Sequence, residues 1–510
     1  MRSSSASGFH GATSGTRRKR QSAIGPAELT LDGSTAVSLY RQLYGQLRVA
    51  ILEGRLRPGA KLPSTRNLAE ELAIARNTVM SAYEQLLAEG YLEGETGSGT
   101  YVVRTLPDAI LQAPALRWPA QEKRSRAQLS QRGQSLGRSR MSVRYSDPPK
   151  PFRPGIPALD HFPFALWSRL LAKYWRREPA GLLPYTDPAG YKPLRDAIAQ
   201  YVTVTRAVRC DPEQVVIVSG AQQALDLAAR LLLDSGDEIW MEDPGYTGAR
   251  AAFVAAGVKP VAVPIDDDGL DIGAGERLAP KARLAYVTPS HQYPAGVVMS
   301  LSRRLELLRW AERRRSWILE DDYDSEYRYA SRPVASLQGL DKTGAVIYCG
   351  TFSKVLFPSL RLGYMIVPAR LVDAFRNAKA VVDRHCPTVE QAVLAELLAE
   401  GHLARHIRRM RVLYLERKNV LLECLHRELA GAVEVRSHEA GMHVVGWLEK
   451  GRRDSIVSQR AQELGVEAPA LTAYRYSPGG RGGLILGYAA YSEQQIRDAV
   501  KKLAIAVTGR

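Results

Sequence analysis

The stretch that decides the fold is Gly350-Thr351-Phe352-Ser353-Lys354-Val355-Leu356-Phe357-Pro358-Ser359-Leu360-Arg361-Leu362-Gly363, which places a lysine just beyond an apolar strand. Arg361 follows Lys354 by seven residues, and the acidic run Glu320-Asp321-Asp322-Tyr323-Asp324 follows an earlier apolar strand. A lysine amine can form a Schiff base with an aldehyde, a carboxylate can keep a pyridine nitrogen protonated, and a guanidinium can clamp a phosphate. This arrangement suits pyridoxal phosphate chemistry.

Length and composition indicate a globular protein with more than one domain. With 510 residues the chain is too long for one ordinary hydrophobic core. Its 45% hydrophobic and 24% charged residues are normal for a soluble protein, and no run approaches the ~20 apolar residues that cross a bilayer. The four cysteines have no C-x-x-C spacing, which fits reduced thiols. We therefore expect a cytoplasmic protein with no metal site and no membrane partner.

Positive charge is concentrated in the first part of the chain. The net charge is +17; residues 1–150 hold 22 Lys/Arg against 12 Asp/Glu, and the other 360 residues hold 48 against 41. This imbalance predicts a polyanionic partner, with a merely solvated basic surface as the alternative. Residues 1–30 are rich in Ser, Gly and Arg. We expect a disordered basic tail there; a transit peptide or an overlong predicted start is the alternative.

Residues 34–104 have the pattern of three helices followed by a hairpin. Apolar residues recur every four positions after Ser38, a second short helix begins at Ser64, and a third carries an apolar stripe that Gly90 closes. The segment 91–103 alternates like a hairpin with a glycine-rich tip. This order predicts a winged helix-turn-helix.

The run Pro58-Gly59-Ala60-Lys61-Leu62-Pro63-Ser64-Thr65-Arg66-Asn67-Leu68-Ala69, followed by Ala75-Arg76-Asn77-Thr78-Val79, resembles the winged-helix domain of GntR-type regulators. The resemblance implies double-stranded DNA as the partner. Helix N-termini bind phosphate, and arginines can grip phosphates or guanine edges. The candidate DNA-binding residues are Lys61, Ser64, Arg66, Arg76, Asn77, Thr78, Gly97 and Gly99. A protein-interaction module, with Arg66 merely paired to Glu70, is the alternative.

Beyond this head, residues 105–150 have no sustained period and are expected to form a linker. Residues 151–510 alternate strand-like and helical runs, which predicts an α/β fold with a largely parallel sheet. A smaller α+β unit is expected around Gly441–Leu448 and Leu484–Tyr488. The strand candidates are Val215–Val218, Ile239–Met241, Pro260–Val263, Leu284–Val287, Trp317–Leu319, Ala345–Tyr348 and Leu362–Val367.

Residues 151–510 resemble a fold-type-I aminotransferase, and together with the head the chain resembles the MocR subfamily of GntR regulators. The resemblance implies a mostly parallel seven-stranded sheet, bound pyridoxal 5'-phosphate and a homodimer. It assigns the Schiff base to Lys354, the pyridinium partner to Asp321 and the phenol near the cofactor's O3′ to Tyr323. It also implies that the phosphate is bound by Thr351, Ser353, Arg361 and the helix opening Gly220-Ala221-Gln222. Tyr246 would stack on the ring, and Tyr185 would reach the neighbouring subunit's phosphate.

Two departures from the aminotransferase pattern bear on function. Ile485 stands where aminotransferases have the arginine that binds a substrate carboxylate, a contact worth ~1.5–3 kcal/mol. Arg481 is nearby in sequence. In the loop Thr288-Pro289-Ser290-His291-Gln292-Tyr293-Pro294-Ala295-Gly296 the asparagine that helps to hold O3′ is also missing. Both departures weaken the case for efficient transamination.

Our leading hypothesis is a transcription regulator whose aminotransferase-like body senses a small-molecule effector through Lys354 and controls operator binding. The effector is pyridoxal phosphate itself or an amino compound, and the missing arginine favours the vitamer. Genes of vitamin B6 biosynthesis, as for PdxR-like members of the subfamily, are one candidate target. The alternative is an aminotransferase with a regulatory DNA-binding head.

Overall fold

The computed structural model describes residues 29–35, 37–95, 99–105, 129–130, 133–134, 137, 148–176, 181–329, 335–436 and 440–509. The chain divides into two units, Met1–Ala127 and Gln128–Arg510. Most of the expected tail and linker, at 1–30 and 105–150, lies outside the described residues. Those two assignments stay predictions.

The first unit is a winged helix, as the sequence predicted. Its apolar stripes meet in one core that includes Leu43, Leu47, Val79 and Leu86. The second helix begins where expected, because the Ser64 hydroxyl accepts the amide of Asn67 at 3.2 Å. The elements are α1 (Leu39–Leu52), α2 (Thr65–Glu71), α3 (Arg76–Ala88) and the antiparallel strands β1 (Leu92–Glu95) and β2 (Gly99–Val102).

The second unit alternates strands and helices through most of its length. Its strands are β3 (Val215–Val218), β4 (Glu238–Asp243), β5 (Lys259–Asp266), β6 (Gly269–Leu270), β7 (Leu284–Val287), β8 (Trp317–Asp322), β9 (Val346–Thr351), β10 (Gly363–Ile366), β11 (Val433–Val435), β12 (His443–Leu448) and β13 (Gly483–Gly487). Its helices are α4 (Phe164–Arg176), α5 (Lys192–Arg206), α6 (Ala221–Leu232), α7 (Thr247–Ala255), α8 (Ile272–Leu278), α9 (Leu301–Arg314), α10 (Leu337–Leu340), α11 (Val372–Val382), α12 (Thr388–Ala399), α13 (His402–Leu429), α14 (Asp454–Glu463) and α15 (Glu493–Thr508).

The main sheet has the strand order β3-β10-β9-β8-β7-β4-β5-β6. Strands β9, β8, β7, β4 and β5 are mutually parallel, while β10 runs antiparallel to both of its neighbours. The seven expected strands are all present. The expected strand count is corrected to eight by β6, a two-residue strand that turns back on the end of β5. Two residues are too few to show an alternating pattern in a sequence.

The parallel strands place their carboxyl ends at one edge of the sheet. There β8 ends at Asp322, β9 at Thr351 and β7 at Val287. Strand β3 shares their direction, because it and β9 both pair antiparallel with β10. Ligands of open α/β sheets bind outside this edge. The topology therefore brings Asp321, Thr351 and the opening of α6 after β3 to the same edge of the sheet.

The smaller α+β region is also present. Strands β11, β12 and β13 form an antiparallel sheet, and α13 and α15 pack beside it in one large core. The Gly487 amide donates to the Phe152 carbonyl at 2.9 Å, which ties the start of the second unit to β13. Among the described helices, none combines the length and apolar character that crossing a bilayer demands.

A buried ionic network fixes the end of β8. Arg206, in the last turn of α5, pairs through Nε with Asp322 Oδ2 at 2.6 Å, and both side chains are almost fully buried. The Arg206 guanidinium also donates to Ser290 Oγ at 2.5 Å, and Tyr348 Oη donates to Asp322 Oδ2 at 2.5 Å. A buried charge is tolerated only with such partners.

Replacing Arg206 should strongly destabilise the second unit. Arg206→Met leaves the Asp322 carboxylate buried without its cation, and we expect a loss of about 3–5 kcal/mol in unfolding free energy. Urea unfolding of the full chain measures it. Arg209→Met, at an exposed position three residues on, is the matched control and should change little. Equal stability of the two variants would contradict the role given to the network.

Candidate functional site

Lys354 lies in the turn that follows β9 and is held by the start of the second unit. Its Nζ donates to the carbonyl of Gly155 at 2.8 Å. Gly155 has φ +77°, and a Cβ there would lie 2.8 Å from Nζ, so this approach requires glycine. Burial lowers the pKa of the Lys354 amine, while the carboxylates of Asp324 and Asp321 act in the opposite direction. A lowered pKa increases the share of neutral, nucleophilic amine.

Asp321 is a buried carboxyl on β8 with one oxygen still available. Tyr286, on the adjacent strand β7, donates its hydroxyl to Asp321 Oδ2 at 2.7 Å. Among the described residues, Oδ1 has no hydrogen-bond partner. Burial raises the pKa of Asp321 to about 6, with the Tyr286 hydrogen bond and the Lys354 charge pulling it down. The side chain can therefore accept a hydrogen bond from a protonated ring nitrogen, which would hold it ionised.

The opening of α6 forms an anion cradle with Arg361. Gly220 caps the helix with φ +94°, and Ala221 and Gln222 begin it. A Cβ on Gly220 would lie 3.2 Å from the Arg361 guanidinium, which also donates to the Ser219 carbonyl at 2.6 Å. The amides of a helix N-terminus and a guanidinium at close range suit a phosphate.

The predicted residues Thr351 and Ser353 lie in the turn that leads to Lys354. The Ser353 amide donates to Thr351 Oγ1 at 3.2 Å, and both side chains are buried. The turn is thereby held in one shape. Both hydroxyls belong to the same strand end as the lysine.

Tyr246 is braced in a fixed orientation. Gln222 Nε2 donates to its hydroxyl at 3.2 Å, and the Tyr293 ring packs edge-on with ring centroids 5.9 Å apart. A Cβ on Gly248 would lie 2.4 Å from the Tyr246 ring, so only glycine fits there. A ring held in this way can serve as a flat shelf for another aromatic ring.

Tyr323 is joined to a histidine that the sequence analysis did not single out as a contact. Its hydroxyl lies 2.9 Å from Nδ1 of His291, and the same nitrogen lies 3.1 Å from Oδ2 of Asp324. His291 lies in the loop 288–296, in which the asparagine of the aminotransferase motif is missing. This loop brings a buried imidazole to the Tyr323 hydroxyl.

Tyr185 is not drawn into this group. Its side chain is 82% exposed, the Arg384 guanidinium lies over its ring at 5.3 Å, and the His385 ring packs edge-on at 6.0 Å. Its proposed role on a neighbouring subunit remains a prediction.

Ile485 has no charge to offer a substrate carboxylate, and the charge of Arg481 is directed to other groups of the chain. Ile485 is fully buried and packs in an apolar cluster with Val445, Leu471 and Tyr474. Arg481 donates to the Leu448 carbonyl at 2.7 Å and pairs with Glu434 at 2.5 Å. Arg481 is thus already engaged by these two groups.

Sequence reasoning missed Tyr286, Gly155 and His291. Tyr286 lies on the strand beside the one that carries Asp321, so strand adjacency would have pointed to it. Gly155 precedes Lys354 by 199 residues, and only tertiary structure joins them. His291 was visible as an unusual residue in a recognised loop.

In the first unit, the DNA-binding candidates lie around the starts of α2 and α3. Arg76 and Asn77 are exposed in the first turn of α3, with Thr78 beside them. Arg66 is exposed on α2 and pairs with Glu70 at 3.1 Å, as the alternative interpretation foresaw. Such surface pairs are worth only about 0–1 kcal/mol, so Arg66 can exchange Glu70 for a phosphate.

Lys61 and Gly99 meet at the base of the wing. The Lys61 ammonium lies 5.6 Å from the Tyr101 ring, and a Cβ on Gly99 would lie 2.7 Å from Lys61 Cε. Gly97 lies outside the described residues. These exposed cations and amides fit a nucleic-acid backbone.

Comparisons with known families divide the chain as the fold does. Residues 39–102 match the family of bacterial regulatory proteins of the gntR type. Residues 168–503 match aminotransferase class I and II.

Whole-chain relatives combine the same two parts. The probable rhizopine catabolism regulatory protein MocR of Rhizobium meliloti is 42% identical over 479 residues, which covers 93% of this chain and 95% of that protein. The pyridoxine biosynthesis transcriptional regulator PdxR of Corynebacterium glutamicum is 30% identical over 482 residues, covering 94% and 98%.

Solved aminotransferases share the fold of the second unit. The α-aminoadipate aminotransferase LysN of Thermus thermophilus, in complex with N-(5'-phosphopyridoxyl)-L-leucine, has a TM-score of 0.65 at 32% identity and covers 70% of this chain and 92% of its own. A kynurenine aminotransferase of Pyrococcus horikoshii has a TM-score of 0.66 at 27% identity, with 78% and 99% covered. This chain belongs to the MocR-type, gntR-family transcription regulators, which join a DNA-binding winged helix to an aminotransferase-like body.

Proposed function

We propose that the aminotransferase-like body of this regulator binds pyridoxal 5'-phosphate covalently at Lys354 and that occupancy of this site changes operator binding. The observation that carries the proposal is the buried Asp321, whose Oδ1 has no partner among the described residues, on the strand next to the one that leads to Lys354. A buried carboxylate oxygen without a partner is costly unless a ligand uses it.

The residues at the sheet edge fit this cofactor. Arg361 and the amides that follow Gly220 suit its phosphate, Asp321 suits its protonated ring nitrogen, and Tyr246 suits its ring face. When bound, pyridoxal phosphate supplies an aldehyde that a neutral amine can capture reversibly. Lys354, with its lowered pKa, is the amine that the chain offers.

The chain's own residues then orient and shield this site. Tyr286 holds Asp321 in position and keeps its pKa from rising further. Gln222 and Tyr293 brace Tyr246. Gly155 accepts a hydrogen bond from the Lys354 amine, and a ligand that captures the amine leaves at most one N–H for that contact.

The effector itself is either the cofactor or an amino compound that displaces Lys354, and we favour the cofactor. The apolar cluster around Ile485 cannot pair with a carboxylate, and Arg481 is bound to Glu434. An aminotransferase with a DNA-binding head is the competing function. Steady turnover of any amino acid and keto acid at enzyme-like rates would favour it.

Two exposed apolar residues near Tyr185 or its contacts in the sequence support a homodimer. Leu183, two residues before Tyr185, is 64% exposed, and Val381, three residues before the Arg384 that lies over the Tyr185 ring, is 88% exposed. Large exposed apolar residues are enriched at interfaces. A dimer would carry two heads, one at 34–104 of each chain, on linkers at 105–150. A ligand can shift operator affinity only if it binds the two head arrangements unequally.

The decisive experiment is a DNA-binding titration on the region upstream of this protein's own gene, with and without pyridoxal phosphate. We expect a change in apparent affinity that follows cofactor occupancy. Identical affinity at full occupancy would contradict the regulatory part of the proposal.

Lys354→Ala should remove covalent cofactor binding. After incubation with pyridoxal phosphate and reduction with borohydride, wild type should carry a stable label on residue 354, and the variant none. Mass spectrometry of the digested chain locates the label. Lys192→Ala, which removes an exposed lysine paired with Asp196, should label like wild type. An unlabelled wild type would refute the site assignment.

Tyr286→Phe should weaken cofactor binding at neutral pH, because losing its hydrogen bond lets the pKa of Asp321 rise further and leaves less of the carboxylate ionised. Titration of the visible absorbance of the bound cofactor measures this affinity. Tyr83→Phe, which removes a buried phenol hydrogen-bonded to the Pro63 carbonyl in the first unit, is the control. If both variants bind like wild type, Tyr286 does not hold Asp321 ready for the cofactor.

Arg76→Ala should weaken operator binding by about 1–3 kcal/mol without changing cofactor binding. If Arg76 contacts phosphate, the slope of log affinity against log salt should also fall by about one. Fluorescence anisotropy at several salt concentrations measures both. Arg55→Ala, another exposed arginine of the head that pairs with Glu53, is the comparison. Unchanged affinity in Arg76→Ala would show that α3 does not read DNA with this residue.

A further inference from the structure

Beside Tyr323 lies a buried group of titratable side chains to which the proposed function gives no role. The His291 side chain is fully buried, and its Nδ1 faces both the Tyr323 hydroxyl at 2.9 Å and Asp324 Oδ2 at 3.1 Å. The ring of His443 lies 5.0 Å away between centroids, and its Nε2 lies 3.0 Å from the Pro294 carbonyl. One imidazole nitrogen thus serves two possible partners.

The His291 ring is neutral over the physiological pH range. Burial lowers its pKa to about 3, and the charges of Lys418 and Arg328 add to that effect. A neutral imidazole has one N–H and one lone-pair nitrogen. Its Nδ1 can therefore either donate or accept, but not both. Its Nε2 has no hydrogen-bond partner in the described part of the chain, so no contact there fixes the tautomer.

The charge on Asp324 decides between the two tautomers. An ionised Asp324 can only accept, so Nδ1 must carry the proton and donate it to Oδ2. Tyr323 can then no longer donate to His291, and its hydroxyl proton is free for another acceptor. With Asp324 neutral, no charge holds the proton on Nδ1. Its lone pair can then accept the Tyr323 hydroxyl across the shorter contact of 2.9 Å.

We propose that His291 is a positioning residue through which the protonation state of Asp324 sets the direction in which Tyr323 offers its hydroxyl proton. Ionised Asp324 turns that proton towards a ligand oxygen in the cofactor site, and neutral Asp324 turns it towards His291. The inference rests on the proposed function in one respect only: the ligand oxygen is taken to be that of the cofactor ring.

The surroundings place this switch near neutral pH. Burial raises the pKa of Asp324 to about 7, and Asp322 raises it too; His443, Lys354 and the Met442 amide lower it. The other ionisable groups whose charges interact with Asp324 are Asp321, Tyr323, Tyr327, Tyr329 and Tyr488. As the pH rises through about 7, Asp324 ionises, and the Tyr323 proton becomes available to the ligand.

A metal ion is the other occupant that this cluster could suggest. Ligand atoms of His291, Asp324 and His443 lie within 4.8 Å of one another. However, His291 Nδ1 and His443 Nε2 already face Tyr323 and the Pro294 carbonyl. A metal held by those nitrogens would have to break both contacts, so the hydrogen-bond relay is the better fit.

The first test is a pH titration of the visible absorbance of the full chain loaded with pyridoxal phosphate. Wild type should show an inflection near pH 7 that Asp324→Asn and His291→Asn shift by about one pH unit or abolish. His443→Asn removes a neighbouring ring on β12 and leaves the Tyr323, His291 and Asp324 contacts in place, so it should keep an inflection, moved to higher pH because the His443 charge lowers the pKa of Asp324. An Asp324→Asn profile that superimposes on wild type would overturn the proposal.

The second test needs no cofactor and separates this inference from the proposed function. Nitrogen NMR of the full chain labelled at its nine histidines reports which ring nitrogen carries the proton. The His291 signal, assigned from its loss in His291→Asn, should move from the Nδ1–H to the Nε2–H form as the pH falls through about 7. Tyr323→Phe keeps the ring but removes the competing hydroxyl, and it should alter this transition. A tautomer that does not change between pH 5 and 9 would refute the relay, whether or not the cofactor binds.

Discussion

The structure depends on one electrostatic constraint: carboxyls and an amine are held together where water is largely excluded. Burial raises the pKa of Asp321 and lowers that of Lys354, so desolvation works against both charges. The charge of Lys354 lowers the pKa of Asp321, and the charge of Asp321 raises the pKa of Lys354, so each group partly offsets the effect of burial on the other. The sheet imposes this proximity, because β8 and β9 are adjacent parallel strands whose carboxyl ends coincide. Tyr286 donates a hydrogen bond to Asp321, and Arg206 forms an ion pair with the next residue, Asp322. These contacts offset the cost of burying two carboxyl groups at the end of β8.

The proposed preference for cofactor binding over transamination rests on the same buried side chains. Arg361 and the helix opening at Gly220 suit a phosphate. Asp321 suits a protonated ring nitrogen, and Lys354 suits an aldehyde. Ile485, which the sequence resemblance aligns with the carboxylate-binding arginine of aminotransferases, is buried among apolar neighbours. A site that retains the cofactor contacts and lacks the substrate contact is suited to hold the vitamer. This difference between the cofactor-binding and substrate-binding groups follows from the identity of the buried side chains.

Local signals made much of the fold predictable. The seven main strands and the opening of α6 followed from apolar runs bounded by glycine and polar residues, and the α2 cap from a serine at the right position. Lys354 and Asp321 were singled out because each follows an apolar run. The contacts of Gly155 and Tyr286 could not be found in this way, since Gly155 comes from a distant segment and Tyr286 from a neighbouring strand. The two-residue β6 is too short for any period.

The proposed regulation through this site has a demanding energetic condition. To move a head arrangement from 1:99 to 99:1, a ligand must prefer one arrangement by about 5.5 kcal/mol. Hydrogen bonds to charged groups contribute about 1.5–3 kcal/mol each, so two to four of them must differ between the arrangements. Contacts confined to Arg361 would not suffice. The proposed effect must also include groups whose contacts change on binding, and Lys354 is one, because capture of its amine leaves at most one N–H for the hydrogen bond to Gly155.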